Sequence, residues 1–174
     1  MAKPKLTDFK KYLAALDEAE VREEMLKLFN KLPQVQEFYA QELMSDTERK
    51  AMLEEYKKKV YNQFWTRTGN PRSPSNAELR TLLTNFEKVS VFPSEVIDLF
   101  LYRVETATEF AHDFGGMSDG DYNASISAFK KAIEMMIAHK LGDQFSIRCE
   151  ELFRLNNLDY WYTESLEELF HSNF

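Results

Sequence analysis

The chain has 174 residues, the length of one domain, and it can bury a sizeable core without disulfide or metal staples. Hydrophobic residues make up 44% and charged residues 29%, which excludes an intrinsically disordered chain. The net charge of -7 disfavours non-specific binding of nucleic acid or of an anionic membrane over the whole surface, and the single cysteine, Cys149, excludes an internal disulfide and a cysteine metal cage.

Thr7 is expected to cap a first helix from Asp8 to about Leu16, with Phe9, Tyr12, Leu13 and Leu16 at helical spacing. Asp17 and Glu20 form a capping box for a second helix that buries Val21, Met25, Leu28, Phe29 and Leu32. Pro33 ends it and opens a third, whose inner face is Val35, Phe38, Tyr39 and Leu43. Ser45 and Glu48 box a long helix from about Asp46 to Trp65. Residues 66–75, TRTGNPRSPS, are the clearest exposed loop.

Ser75 and Glu78 open the next helix, through Leu79, Leu82, Leu83 and Phe86 to near Val89. The stretch Pro93 to Phe114 follows, with Ser94 as N-cap. Wound at about 100° per residue, it gathers Ile97, Phe100, Leu101, Val104, Ala107, Thr108, Ala111 and Phe114 on a broad apolar face. Asp98, Tyr102, Glu105, Glu109 and His112 fall on a narrow opposite stripe, expected to face solvent or to form the acidic half of an interaction site. Gly115 and Gly116 stop this helix. A helix from about Tyr122 to His139 presents Ile126, Phe129, Ala132, Ile133, Met136 and Ile137. The next, Asp143 to Leu155, presents Phe145, Ile147 and Leu152 and is broken by Asn156-Asn157. A last helix is expected after Thr163, burying Leu166, Leu169 and Phe170. All five glycines are expected between helices.

These signals agree on an all-α fold: a single domain, 1–174, of about eight to nine mostly antiparallel helices, either a compact bundle or a short solenoid-like array. No window approaches the ~20 apolar residues of a membrane helix, and the N-terminal stretch has no signal-peptide core, so a cytoplasmic protein is expected.

No phosphate-binding glycine loop, GxSxG or HExxH is present. Two Glu-x-x-His steps are. Glu109 with His112 and Glu168 with His171 each share a helix face, and with Glu105 they form a conceivable metal set; two solvated helix faces explain the same residues. Asp113, Asp119 and Asp121 are ordered wrongly for a calcium loop, and helix capping by Ser118, Asp119 or Asp121, with glycines as C-caps, explains the same segment.

Charge is unevenly spread. Between Tyr56 and Arg80, Lys57, Lys58, Lys59, Arg67, Arg72 and Arg80 face one acid, Glu78, with Trp65 among them. From Ser94 to Asp121 seven acids face Arg103 alone. Separated patches of this kind can dock a partner; a basic helix face running into a flexible loop is the plain alternative, and nucleic-acid binding by the 56–80 stretch a further one. Arg103 projects among Leu99, Phe100, Ala107 and Phe110, so it must pair with a carboxylate or snorkel out. A structural ion pair is the expected role, with recognition of a ligand carboxylate or phosphate as the alternative.

LPQVQEFYAQEL (32–43), SEVIDLFLYRVETATEF (94–110) and YNASISAFKKAIEM (122–135), with the aromatic C-terminal segment, resemble a family of small bacterial proteins known only as a domain of unknown function. The resemblance implies a helical, cytoplasmic protein and no particular activity. With no catalytic constellation visible, and with aromatic content and separated charge patches that suit an interface, the function expected is a non-enzymatic helical interaction or adaptor protein without a cofactor. Its partner would be another protein or a second copy, and no membrane. Candidate interaction residues are Lys57, Lys58, Lys59, Trp65, Arg67, Arg72, Asp98, Tyr102, Arg103 and Glu105. The alternative metal binder would use Glu105, Glu109, His112, Glu168 and His171.

Overall fold

The computed structural model describes residues 5–40, 42–155 and 160–174, the side chains of Glu37 and Leu155 excepted. The described residues form nine α-helices and no strand, as the periodicity predicts. They fall into two compact units, Met1–Leu43 and Met44–Phe174.

The first unit holds α1 (Leu6–Ala14), α2 (Glu18–Lys31) and α3 (Pro33–Ala40). The Asp17–Glu20 capping box forms in both directions, at 2.8 and 2.9 Å. Helix α1 begins earlier than expected, at Leu6, with Asp8 accepting from the Lys5 amide. The apolar faces are a correction to the pattern. Neither α1 nor α2 buries a residue, and Phe9, Tyr12, Met25, Leu32, Phe38 and Leu43 are all exposed. Helical spacing marks a face that can be covered, but three short helices have too little surface to bury it among themselves.

The second unit holds α4 (Asp46–Phe64), α5 (Asn76–Val89), α6 (Pro93–Phe114), α7 (Asp119–His139), α8 (Gly142–Leu155) and α9 (Tyr160–His171). Helix α6 is its centre and packs against α4, α5, α7 and α8. Half of its 22 residues are buried, including Ile97, Phe100, Leu101, Val104, Ala107, Thr108 and Ala111 from the predicted face. Pro93, not Ser94, opens it, because a proline costs nothing at a position whose amide has no helical partner. Gly115 closes it at φ 76°, the left-handed conformation a side chain would strain. Ser45, Ser75 and Ser118 cap α4, α5 and α7 through the amides of Glu48, Glu78 and Asp121.

Several expectations shift. Phe114, Ile137 and Ile147 are exposed. Gly120 lies in the first turn of α7 and Gly142 opens α8, so two glycines are helical. Helix α9 starts at Tyr160, ahead of Thr163, because Tyr162 is an anchor. It is fully buried, and its hydroxyl hydrogen-bonds Ser125 at 2.6 Å and Thr108 at 3.3 Å. That packing overrides the weak helix propensity of the aromatic run. The break expected at Asn156-Asn157 lies outside the described residues.

Candidate functional site

The acidic stripe of α6 divides into two parts. Arg148, on α8, reaches across and takes Asp98 and Glu105 together. Its Nε donates to Glu105 Oε1 at 2.5 Å, its Nη2 to Glu105 Oε2 at 2.8 Å, and its Nη1 to Asp98 Oδ1 at 2.5 Å. Lys57, on α4, donates to the other Asp98 oxygen at 3.0 Å, and its ammonium lies 5.5 Å from the centre of the Tyr102 ring. These side chains are about three-quarters buried or more, so the bonds work in a lowered dielectric. Burial opposes the Arg148 charge, but the hydrogen bonds and charge of Glu105, then Asp98, raise its pKa above the usual arginine value. Asp98 and Glu105 thus tie α4, α6 and α8 together and are not a solvent-facing stripe. Arg148 is separated from its partners by 43 and 50 residues, so no local pattern announces it.

The other half of the stripe is exposed. Glu109 and His112 lie outward on the last turns of α6. Burial, then the charges of Glu105 and Asp113, raise the Glu109 pKa. His112 approaches its neighbour Asp113 at 3.4 Å, and His171 approaches Glu150 at 3.9 Å. Among the described residues no three of His, Cys, Asp and Glu are gathered as a metal site would need. The five residues of the metal alternative are therefore not brought together, and Glu105 is already held by Arg148.

The basic stretch divides too. Lys57 pairs with Asp98 and Glu54, and Lys59 with Glu55 at 2.7 Å. Lys58, Arg67 and Arg72 have no acidic partner among the described residues. With Asn62, Trp65 and Thr66 they line one open pocket at the C-terminal end of α4. The loop that carries the two arginines is pinned, which differs from the flexible loop expected. The Thr66 amide bonds Asn70 O at 2.8 Å, the Arg72 amide bonds Phe64 O at 2.8 Å, and Trp65 bridges to Pro71. Arg72 Nη1 also donates to Asn62 O at 3.1 Å. Trp65 is only 7% exposed. It serves as the wall behind the cations, and Tyr61, stacked on it at 4.6 Å, is the aromatic that meets solvent.

Arg103 is 1% exposed, as its apolar neighbours predict, but it makes no ion pair among the described residues. Its Nη2 donates to the neutral Asn76 Oδ1 at 3.4 Å, and Asn76 Nδ2 in turn donates to Asp121 Oδ1 at 2.7 Å. Asn76 occupies the place where a carboxylate was expected. Arg103 Nη1 is buried with no partner among the described residues. Burial pushes the Arg103 pKa down to about 10, against smaller opposing effects of Tyr162 and Asp121, so it is a cation at neutral pH.

The sole cysteine sits beside Arg148. Burial pushes the Cys149 thiol up to about 12, which makes it inert at neutral pH. No helix among the described residues is long and apolar enough to cross a membrane. No curated protein and no solved structure matches the chain. A family model does match, over residues 2–170, and the chain belongs to that family of unknown function, DUF6155.

Proposed function

We propose that this is a non-enzymatic helical docking protein of the cytoplasm, which takes an acidic segment of a partner protein on the corner formed by Lys58, Arg67 and Arg72. One observation carries this. These three cations converge on one open pocket without acidic partners among the described residues, while their neighbours Lys57 and Lys59 are neutralised in place. The pinned loop holds both arginines in position before binding, so less side-chain and loop freedom is lost when a carboxylate arrives. Arginine forks suit carboxylates in particular.

A long polyanion fits less well. The chain carries a net charge of -7, which repels extended nucleic acid beyond the corner, whereas a short acidic peptide meets only the local field. Trp65 is too covered to stack on a base. Self-docking through the α6 stripe loses its motive, because Asp98 and Glu105 are already paired.

The test is fluorescence anisotropy with a labelled peptide of alternating Glu and Gly, against an oligothymidylate of equal charge. Binding of the peptide should weaken with salt and fall at least about tenfold in the Lys58→Glu/Arg67→Glu/Arg72→Glu variant. Unchanged peptide binding in that variant, or tighter binding of the oligonucleotide, would overturn the proposal.

A further inference from the structure

A second feature is independent of the docking corner. Between α5, α6 and α7 lies a cavity of about 130 Å³ whose wall includes Arg103. The rest of the lining is five apolar residues, Leu79, Leu83, Phe100, Ala124 and Ala128, and four polar ones, with Asn76 and Thr84 half-buried and Arg80 and Ser127 exposed. A buried guanidinium with an orphaned N–H is costly unless an anion meets it. Among the described residues the guanidinium meets a neutral amide at 3.4 Å and the Phe64 ring at 5.9 Å, and the nearby carboxylate of Asp121 lies behind Asn76. Asn76 Nδ2 is committed to Asp121, which fixes its oxygen toward Arg103 and leaves the other guanidinium nitrogen unmatched.

We infer that this cavity binds a small organic monocarboxylate, the carboxylate meeting the Arg103 guanidinium and a short apolar chain lying against Leu79, Leu83, Phe100 and Ala128. Size supports this: a cavity of ~150 Å³ lined by apolar side chains accommodates a benzene ring, so an acid of roughly three to five carbons fits one of about 130 Å³. Charge supports it as well. The one buried cation of the lining balances a single negative charge, and the second, Arg80, is exposed to solvent.

The experiment is calorimetric titration of the full chain with acetate, butyrate, benzoate and inorganic phosphate, each as its sodium salt. Butyrate should bind saturably and more tightly than acetate, and phosphate more weakly than either. Arg103→Met should weaken butyrate binding about tenfold or more. Because loss of Arg103 can also disturb the core, a second variant, Ser127→Phe, narrows the entrance from an exposed position and should weaken butyrate to a similar extent, with an unchanged circular dichroism melt. The inference is overturned if no monocarboxylate binds saturably. It is equally overturned if phosphate binds as tightly as butyrate, or if the folded Ser127→Phe variant keeps full butyrate affinity. None of these results bears on the acidic-peptide corner, which lies at the end of α4.

Discussion

Arg148 shows how one side chain can reassign others. Asp98 and Glu105 lie two turns apart on α6 and look like a surface stripe in sequence. One guanidinium, using three of its nitrogens, turns them into an internal tie. Removing it would leave two largely buried carboxylates facing each other, with Lys57 neutralising only Asp98. Arg148→Met should therefore destabilise the protein by about 2–3 kcal/mol, below the ~3–5 of a fully buried pair because about a fifth to a quarter of each side chain meets water. Urea unfolding at neutral pH checks this; a loss under ~0.5 kcal/mol would mean that the pairing is worth no more than a surface ion pair. The burial of Arg103 is legible in sequence, because Leu99, Phe100 and Ala107 surround it one turn either way. Its partner is not, since Asn76 is 27 residues distant.

At the scale of elements, the spacing of α6 predicts its role as a scaffold and only part of its surface. Its apolar spacing places the core face, and its proline and glycine place its ends within a residue. What spacing cannot show is which neighbour covers the opposite stripe. The first half is covered by α4 and α8, and the second half is bare. Glu109 lies at that boundary, with burial, Glu105 and Asp113 all disfavouring its charge. Its folded pKa is raised above the ordinary 4.5. The folded state therefore holds this proton longer than the unfolded state as pH rises, and stability declines across the window just above 4.5. The penalty is fully present at neutral pH and absent well below 4.5. Because Glu109 is exposed and solvent screens most of this penalty, Glu109→Gln should raise the thermal midpoint only slightly, by under ~1 °C, at neutral pH and give no gain at acid pH. A gain of equal size at both pH values would assign the effect to packing and not to charge.

The capping signals carry the same lesson for loops. Asp17, Ser45 and Ser75 each sit where the sequence expects a helix to begin, because capping is a contact between residues three apart. The 66–75 loop was legible as a loop but not as a rigid one. Its stiffness comes from the Arg72 amide reaching back to Phe64 O and from the Thr66–Asn70 pair, neither of which has a composition signature.

For the whole molecule, the contrast between units is the main physical fact. Helices α1 and α2 bury no residue, while α6 and α7 bury much of their length. Amide hydrogen exchange should separate them, with α1 and α2 exchanging through local opening and α6 exchanging only as the second unit unfolds. Equal protection in α1 and α6 would show one cooperative unit instead of two.

The net charge of -7 makes the cationic corner a local exception on an acidic molecule, and the docking function rests on that exception. The most direct test is a backbone NMR titration with the acidic Glu-Gly peptide. Shift changes should concentrate in residues 58–72, with the Arg67 and Arg72 amides among the largest, and should vanish in high salt. Shifts spread over the molecule, or centred away from this loop, would contradict the docking corner.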